Sequence, residues 1–371
     1  MQIRSNIHTS DEEYMRRALV LAARAKGRTS PNPMVGAVVV NSGKIIAEGW
    51  HIRCGTDHAE VVALRKSGHR ARGAKLYVNL EPCCHYGRTP PCVDRIIDSG
   101  IEEVIIAMKD PNPLVNGKSI RILRKAGIVT KVGILRKEAE ELNEAFIKYI
   151  KEKMPFVVAK CAQSLDGKIA TATGMSKWIT SEKTRLFSRK KRDEFDAILV
   201  GINTVIKDNP MLSGAKRYDL KRIILDTKLR IPLNSKILKE PICQYCIIAT
   251  TSKAPSSKIE QLRKKGITVI VSPEERAGVD LAWLFRKIAS FGIINILIEG
   301  GAKVIGNALM HGLVDKMHIY IAPKIIGSQY ALSSVDGLDT RDVNKAVKLK
   351  RLNLTNIGDD IFIRGYVFRN S

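Results

Sequence analysis

The sequence predicts an α/β protein built as two successive domains, and three observations predict it. Its 371 residues suffice for two cores at ~100–200 residues each. Short apolar runs of strand length alternate with segments of helical spacing, as in layered α/β folds. Lys137 to Lys153 reads as a charged amphipathic helix stopped by Pro155, after which a strand-like run reopens. The boundary is therefore expected near residue 150, with domains at 1–150 and 151–371. Apolar residues at 44% and charged residues at 27% are globular proportions that exclude a collagen-like or wholly disordered chain.

In the first part, Ser10-Asp11-Glu12-Glu13 has the capping-box form, and Met15, Ala18, Leu19, Ala22 and Ala25 follow at helical spacing, which predicts an opening helix. Val35 to Val40, the turn Asn41-Ser42-Gly43 and Lys44 to Trp50 predict a hairpin. A second helix is expected from about His58, with Val61, Val62 and Leu64 inward. Lys75 to Leu80 reads as a buried strand, and a helix follows Pro90-Pro91 because proline fits a first helical turn. Glu103 to Met108 and Ile128 to Val132 read as strands flanking a helix at Ser119 to Ala126. In the second part, strands are expected at Phe156 to Cys161, Ala197 to Val200, Arg222 to Leu225, Cys246 to Ala249, Thr268 to Val271 and Asn295 to Ile298. Antiparallel-looking segments at Met317 to Ala322 and Asp360 to Val367 close it.

The formal charge of +25 invites nucleic acid, an anionic membrane or phosphorylated ligands. Yet the longest basic run is Arg189-Lys190-Lys191-Arg192, and 3 Trp, 9 Tyr and 8 Phe are few for stacking bases. Spread-out charge of this kind reads as a solvated surface, so no nucleic-acid partner is expected. No apolar run approaches the ~20 residues of a bilayer span. The start, Met1-Gln2-Ile3-Arg4-Ser5-Asn6, lacks the apolar core of a secretory signal, so a cytoplasmic protein without a membrane partner is expected. Seven cysteines, odd in number and sparse, argue against a disulfide framework.

Clustered cysteines need another reason. His58-Ala59-Glu60 is followed by Pro82-Cys83-Cys84-His85-Tyr86-Gly87-Arg88-Thr89-Pro90-Pro91-Cys92. One imidazole and two thiolates give Zn2+ three protein ligands and leave its fourth tetrahedral position for water, the arrangement of a catalytic site. Glu60, two residues after His58 at a helix start, is placed to handle that water's proton. Nucleobase deaminases carry H-x-E followed by P-C-x-x-C; here eight residues separate Cys83 from Cys92, so the intervening segment must loop out and return. The residues alone leave open a structural zinc with Cys84 or His85 as fourth ligand, or two buried thiols beside an unrelated histidine.

Leu80 to Cys92, His58-Ala59-Glu60 and the upstream Pro31-Asn32-Pro33-Met34-Val35-Gly36 resemble the deaminase half of the bifunctional riboflavin-biosynthesis deaminase-reductases. The resemblance continues through Lys160-Cys161-Ala162-Gln163-Ser164-Leu165-Asp166-Gly167-Lys168-Ile169-Ala170, Ser176-Lys177-Trp178-Ile179-Thr180, Asn203-Thr204-Val205, Asp208-Asn209-Pro210 and Glu299-Gly300-Gly301. It implies a cytidine-deaminase-like three-layer domain followed by a dihydrofolate-reductase-like domain. By position, His58, Cys83 and Cys92 would hold zinc, Glu60 would shuttle the proton, and Asn32, His51, His85 and Arg88 would contact a phosphorylated pyrimidine ribotide. Asn32 suits a pyrimidine edge, and Arg88 a phosphate.

The second part has no G-x-G-x-x-G after a strand, so a Rossmann site is not supported. Ile296-Leu297-Ile298-Glu299-Gly300-Gly301 instead leads into the helix-like Ala302 to Met310, where backbone amides can approach an anion. The resemblance implies NADPH as hydride donor, lined by Ala162, Trp178, Thr204, Asp208 and the segment Gly301, Ala302, Lys303, Val304, Ile305, Gly306 and Asn307. Lys160, Ser176, Arg192, Leu212 and Glu299 would face the substrate. It further implies hydrolytic removal of a 2-amino group, then reduction of the ribosyl chain to ribityl, and a homo-oligomer.

Overall fold

The computed structural model describes residues 5–86, 90–275 and 278–368, and the chain divides into two compact units between Lys153 and Met154. The first unit runs α1 (Ser5–Ala23), β1 (Gly36–Asn41), β2 (Lys44–Trp50), α2 (Ala59–Ser67), β3 (Lys75–Leu80), α3 (Cys92–Asp98), β4 (Glu103–Met108), α4 (Lys118–Lys125), β5 (Val129–Val132), α5 (Arg136–Leu142) and α6 (Glu144–Glu152). Its sheet has the order β2-β1-β3-β4-β5. The hairpin and the β1–β3 pair are antiparallel, and the rest is parallel.

Ser42 (φ 47°) and Gly43 (φ 73°) supply the two positive φ angles of a two-residue hairpin turn, whose twist matches that of its strands. A Cβ on Gly36 would strike the backbone of Ala18 and Ala22 in α1, and one on Gly49 the backbone of Ala59 and Ala63 in α2. Gly49 pairs with Ala37, the neighbour of Gly36; successive residues face opposite sides of a sheet. Helices α1 and α2 therefore cover opposite faces. This is the three-layer arrangement, and it explains why β1 and β3 are apolar on both sides.

Three expectations for this unit are corrected. The opening helix begins at Ser5, before the Ser10 cap. Asp11 is buried and accepts a 2.5 Å hydrogen bond from Tyr77 Oη instead of serving a helix start. The inner face of α2 consists of Ala59, Glu60, Ala63 and Leu64, with Val61 and Val62 only half-buried, because the close approach at Gly49 admits only small side chains. The single helix expected over Lys137 to Lys153 is broken at Asn143 (φ −106°, ψ 21°) into α5 and α6.

The second unit comprises β6 (Phe156–Ser164), β7 (Lys168–Ala170), α7 (Glu182–Arg192), β8 (Ala197–Gly201), α8 (Ile202–Asp208), β9 (Lys221–Leu225), β10 (Cys246–Thr250), α9 (Ser256–Lys264), β11 (Thr268–Val271), β12 (Glu274–Glu275), β13 (Gly278–Val279), α10 (Leu281–Ala289), β14 (Asn295–Glu299), α11 (Ala302–Met310), β15 (Lys316–Ala322), β16 (Leu332–Ser333), β17 (Lys348–Ile357) and β18 (Asp360–Phe368). Nine of these strands form one sheet, ordered β11-β10-β9-β8-β14-β6-β15-β18-β17. It is parallel from β11 to β15 and antiparallel beyond. The first strand of the unit, β6, thus lies between two of the later ones. Along β8, Ala197 and Leu199 pack into one core with Phe285, Ile296 and Ile305, whereas Ile198 and Val200 pack into another with Ile224, Ile248 and Leu262. That is the period-2 alternation of a sheet buried on both faces. Strand β17 escaped sequence reading because nearly all of its residues are exposed.

On β15, the His318 ring stands edge-on to Phe362 at 5.2 Å between centroids, and burial pushes its pKa down to about 3. An unfolded histidine titrates near ~6.5. Below that pH the unfolded chain takes up a proton that the folded chain refuses, so stability falls as pH drops toward 3. Between pH 7 and 5 this amounts to about 2 kcal/mol. Denaturant unfolding of the second unit is therefore expected to shift between these pH values by that much more in the natural protein than in His318→Gln; equal shifts would refute the assignment.

Candidate functional site

In the first unit, the ends of three elements converge. His58 is the N-cap residue of α2 (φ −71°, ψ 158°), Cys83 follows β3, and Cys92 opens α3 behind Pro91. The eight-residue excursion closes on itself, since Val93 N donates to Cys83 O at 3.2 Å and Cys92 N to Cys83 Sγ at 3.3 Å. His58 Nδ1 lies 3.2 Å from Cys92 Sγ and 3.5 Å from Cys83 Sγ, and the three donor atoms lie within 4.8 Å of one another. Among the described residues these three form the group of His, Cys, Asp and Glu donors placed to share an ion.

The hydrogen bond from Cys92, and after it that from His58, draws the Cys83 thiol down to about 4, while Cys92 is pushed up by sharing its proton with Cys83. One imidazole and two sulfurs fit the donor chemistry of zinc. Cys84 turns away toward Leu114 O at 3.8 Å and, like His85, stands outside the group. Glu60 is 3% exposed, and burial raises its carboxyl above the ordinary value against the pull of His58.

Around this centre, Asn32 Nδ2 sits 3.2 Å from His51 Nε2 and His51 Nδ1 3.1 Å from Asp57 O. A carbonyl only accepts, so Nδ1 carries the proton and Nε2 accepts from Asn32. Burial lowers the His51 pKa and keeps the ring neutral; it stands edge-on to His58 at 5.4 Å. Among the described residues the buried Nδ1 of His85 has no hydrogen-bond partner. Arg88 lies outside the described residues. Sequence reading missed Glu81, whose Oε2 accepts from Asp110 N and Gly117 N at 3.3 and 2.9 Å. It also missed the buried amides Asn79 and Asn143. Polar side chains bonded to backbone leave no periodic trace in a sequence.

In the second unit, Lys160, Ala162, Ser176, Trp178, Gly301, Ala302 and Ile305 line a cleft of about 250 Å³. Gly300 (φ 94°) and Gly301 (φ 84°) hold the turn into α11 in a conformation that side-chain-bearing residues rarely adopt, and no side chain caps that helix. Val304 N and Ile305 N donate back to Gly301 O at 2.9 and 3.1 Å, so the amides that can face an anionic group are those of Ala302 and Lys303. The Arg185 guanidinium lies over the exposed Trp178 ring at 4.1 Å. At the edge, Arg192 Nη2 and Glu299 Oε2 are 2.5 Å apart, and Lys160 Nζ is 3.7 Å from Glu299 Oε1. Burial alone would raise the Glu299 carboxyl; Arg192 and Lys160 overcome it and hold it below the usual range.

The remaining candidates are distributed differently. A Cβ on Gly300 would meet Thr204 Oγ1 at 3.5 Å, and one on Gly301 would meet Val304 Cγ2 at 3.3 Å. Asp208 ends α8 exposed, and Lys303 faces solvent on α11. Gly306 admits the backbone of Asp336 where a Cβ would collide, and among the described residues the buried Asn307 Oδ1 lacks a hydrogen-bond partner. The Leu212 side chain packs in the core, with its backbone at φ 49°; the adjacent Ser213 carbonyl accepts from Arg192 Nη1 at 3.0 Å.

A three-layer unit with an N/S/S donor set beside a buried glutamate, joined to an α/β unit with a glycine-lined cleft, defines a two-part enzyme that couples a zinc-type deaminase to a reductase. Residues 8–108 match the cytidine and deoxycytidylate deaminase zinc-binding region, and residues 155–363 match the RibD C-terminal domain. The riboflavin biosynthesis protein RibD of Aquifex aeolicus is 44% identical over 360 residues, spanning 96% of this chain and 98% of that one. The Escherichia coli RibD is 36% identical over 367 residues, spanning 95% and 98%. The solved structure of Acinetobacter baumannii RibD superposes with a TM-score of 0.88 at 36% identity, covering 98% of this chain and all of that one. A Thermotoga maritima diaminohydroxyphosphoribosylaminopyrimidine deaminase/5-amino-6-(5-phosphoribosylamino)uracil reductase superposes at 0.85 with the same identity. The chain belongs to the RibD family, the bifunctional deaminase-reductases of riboflavin biosynthesis.

Proposed function

We propose that residues 1–150 deaminate 2,5-diamino-6-ribosylamino-4(3H)-pyrimidinone 5′-phosphate and residues 151–371 reduce the ribosyl chain of the product, giving 5-amino-6-ribitylaminouracil 5′-phosphate. The observation that carries the first step is the His58–Cys83–Cys92 set within 4.8 Å beside the buried Glu60. Zinc bound there supplies a Lewis acid that makes water ionisable near neutral pH. Glu60 would hold the proton released as the water's oxygen replaces the amine on the pyrimidine carbon, and would hand it to the departing 2-amino group, which leaves as ammonia. Asn32, fixed by His51, reads the pyrimidine edge; His85 offers its Nδ1, and Arg88 is assigned to the phosphate.

NADPH, held by the residues assigned below, would supply the hydride that, together with a proton from solvent, reduces C1′ of the ring-opened sugar in the second step. Gly301 to Asn307 with Ala162, Trp178, Thr204 and Asp208 are assigned to the cofactor. Lys160, Ser176, Arg192, Glu299 and the Leu212 backbone are assigned to the ribotide, for which Arg192 and Lys160 bring charge and Glu299 accepts hydroxyl hydrogen bonds. A free ribotide requires neither nucleic acid nor membrane as partner, and among the described residues no helix is long and apolar enough to cross a membrane. A cytoplasmic homo-oligomer belongs to the same reading. Stripping the metal with a chelator is expected to stop ammonia release while NADPH consumption on the deaminated ribotide continues, and added zinc is expected to restore the first activity. Deamination that persists in demonstrably metal-free protein would overturn the assignment.

A further inference from the structure

The break between α5 and α6 brings a side chain to the loop that leads into β1. Asn143 is 1% exposed, and its own backbone groups are already paired: its N donates to Ala139 O at 3.2 Å and its O accepts from Ile147 N at 2.9 Å. Its amide is committed to a segment 109 residues upstream, where Oδ1 accepts from Met34 N at 2.8 Å and Nδ2 donates to Met34 O at 3.0 Å. From the other side, the fully buried Asn79 donates to the same Met34 O at 3.0 Å and accepts from Gly36 N at 2.8 Å. Two buried amides therefore hold residues 34–36, and the loop they hold is the one that carries Asn32 to His51.

We propose that Asn143 is a positioning residue for deamination, acting through Asn32. The loop between α1 and β1 is tied to the neighbouring strand at Val35, whose O accepts from His51 N at 2.9 Å, and four hydrogen bonds from two amides fix residues 34 and 36. A helix running straight through residue 143 would have followed the same amphipathic pattern; the break turns a buried amide onto Met34. The inference rests on the reading of Asn32 as a substrate contact.

The test is a double-mutant cycle on the full-length zinc protein, with ammonia release measured on the diaminopyrimidinone ribotide and NADPH oxidation on the deaminated ribotide as an internal control. Asn143→Ala is expected to raise KM for deamination about tenfold, the scale of a lost buried hydrogen-bond pair. Zinc content and NADPH oxidation should be unchanged, and kcat should stay within about threefold. In an Asn32→Ala background the same substitution is expected to add almost nothing, because coupled residues are not additive. Independent, multiplicative losses, or an unaltered KM in Asn143→Ala alongside an altered one in Asn32→Ala, would overturn the inference by itself. An unaltered KM in Asn32→Ala would overturn the substrate role of Asn32 and the inference with it. Asn143→Asp keeps the acceptor for Met34 N with little change in volume; zinc loss in both variants would show a fold element instead and overturn the proposal.

Discussion

Replacing Glu60 with Gln is expected to lower ammonia release by ~10³-fold or more, within the range that general acid–base catalysis supplies, while zinc content and NADPH oxidation stay at their natural levels. The amide matches the carboxylate in shape, which matters at a side chain 3% exposed in the first turn of α2, where Ala59 and Ala63 already pack against Gly49. What the variant loses is the ability to accept a proton and give it back. Burial holds the Glu60 carboxyl above its ordinary value, which makes it a better base than a solvated glutamate and a competent acid for the leaving amine. Retained deamination in a zinc-replete Glu60→Gln protein would sink the mechanism.

Replacing Arg192 with Met is expected to lower kcat/KM for the deaminated ribotide on the order of 10²-fold without touching deamination. It removes the 2.5 Å partner of a buried carboxylate and the 3.0 Å tie to Ser213 O. Breaking a buried pair from one side costs about 3–5 kcal/mol, and the sign of its pH dependence follows from Glu299. In the natural protein the Glu299 carboxyl is held low, so its contribution is present above the unfolded value of ~4.3 and is lost as pH falls through the lower folded value. Without Arg192 only Lys160 opposes burial, so the carboxyl rises from its natural value and the variant is penalised most where Glu299 must stay ionised. Its stability deficit is expected to be larger at pH 8 than at pH 4.5, and Arg192→Lys, which keeps the charge, is expected to recover most of it. A deficit that does not change with pH would show that Arg192 acts by packing alone.

The metal centre was legible because its parts are local and chemically rare: His58, Glu60, Cys83 and Cys92 fall within a short stretch, and few other constellations use those types together. The strands were legible because sheets buried on both faces become continuous apolar runs. Side chains that bond to backbone were not. Arg222 is completely buried on β9 and donates to Met211 O, Tyr218 O and Leu220 O at 2.9, 3.3 and 2.6 Å; against a charge of +25 it reads as one more solvated cation. The basic run on α7 likewise divides in space. Arg189 donates to Gly214 O at 3.0 Å, Lys191 pairs with Glu194 at 2.8 Å and Arg192 pairs with Glu299. Charge counts see four equal residues where geometry makes three different attachments.

The central place of β6 in the nine-stranded sheet sets an order of events in folding. Lys160 on β6 meets Glu299 on β14 and pairs in register with His318 on β15, so the middle of the reductase sheet stays open until strands more than a hundred residues later arrive. Contacts of such long sequence separation form slowly and leave apolar edges exposed meanwhile. The metal-donor set spans only residues 58 to 92, within a unit that ends at Lys153. During vectorial synthesis the first unit can therefore close around its ion while the second still lacks its keystone strands, and the period of greatest exposure to aggregation belongs to the reductase.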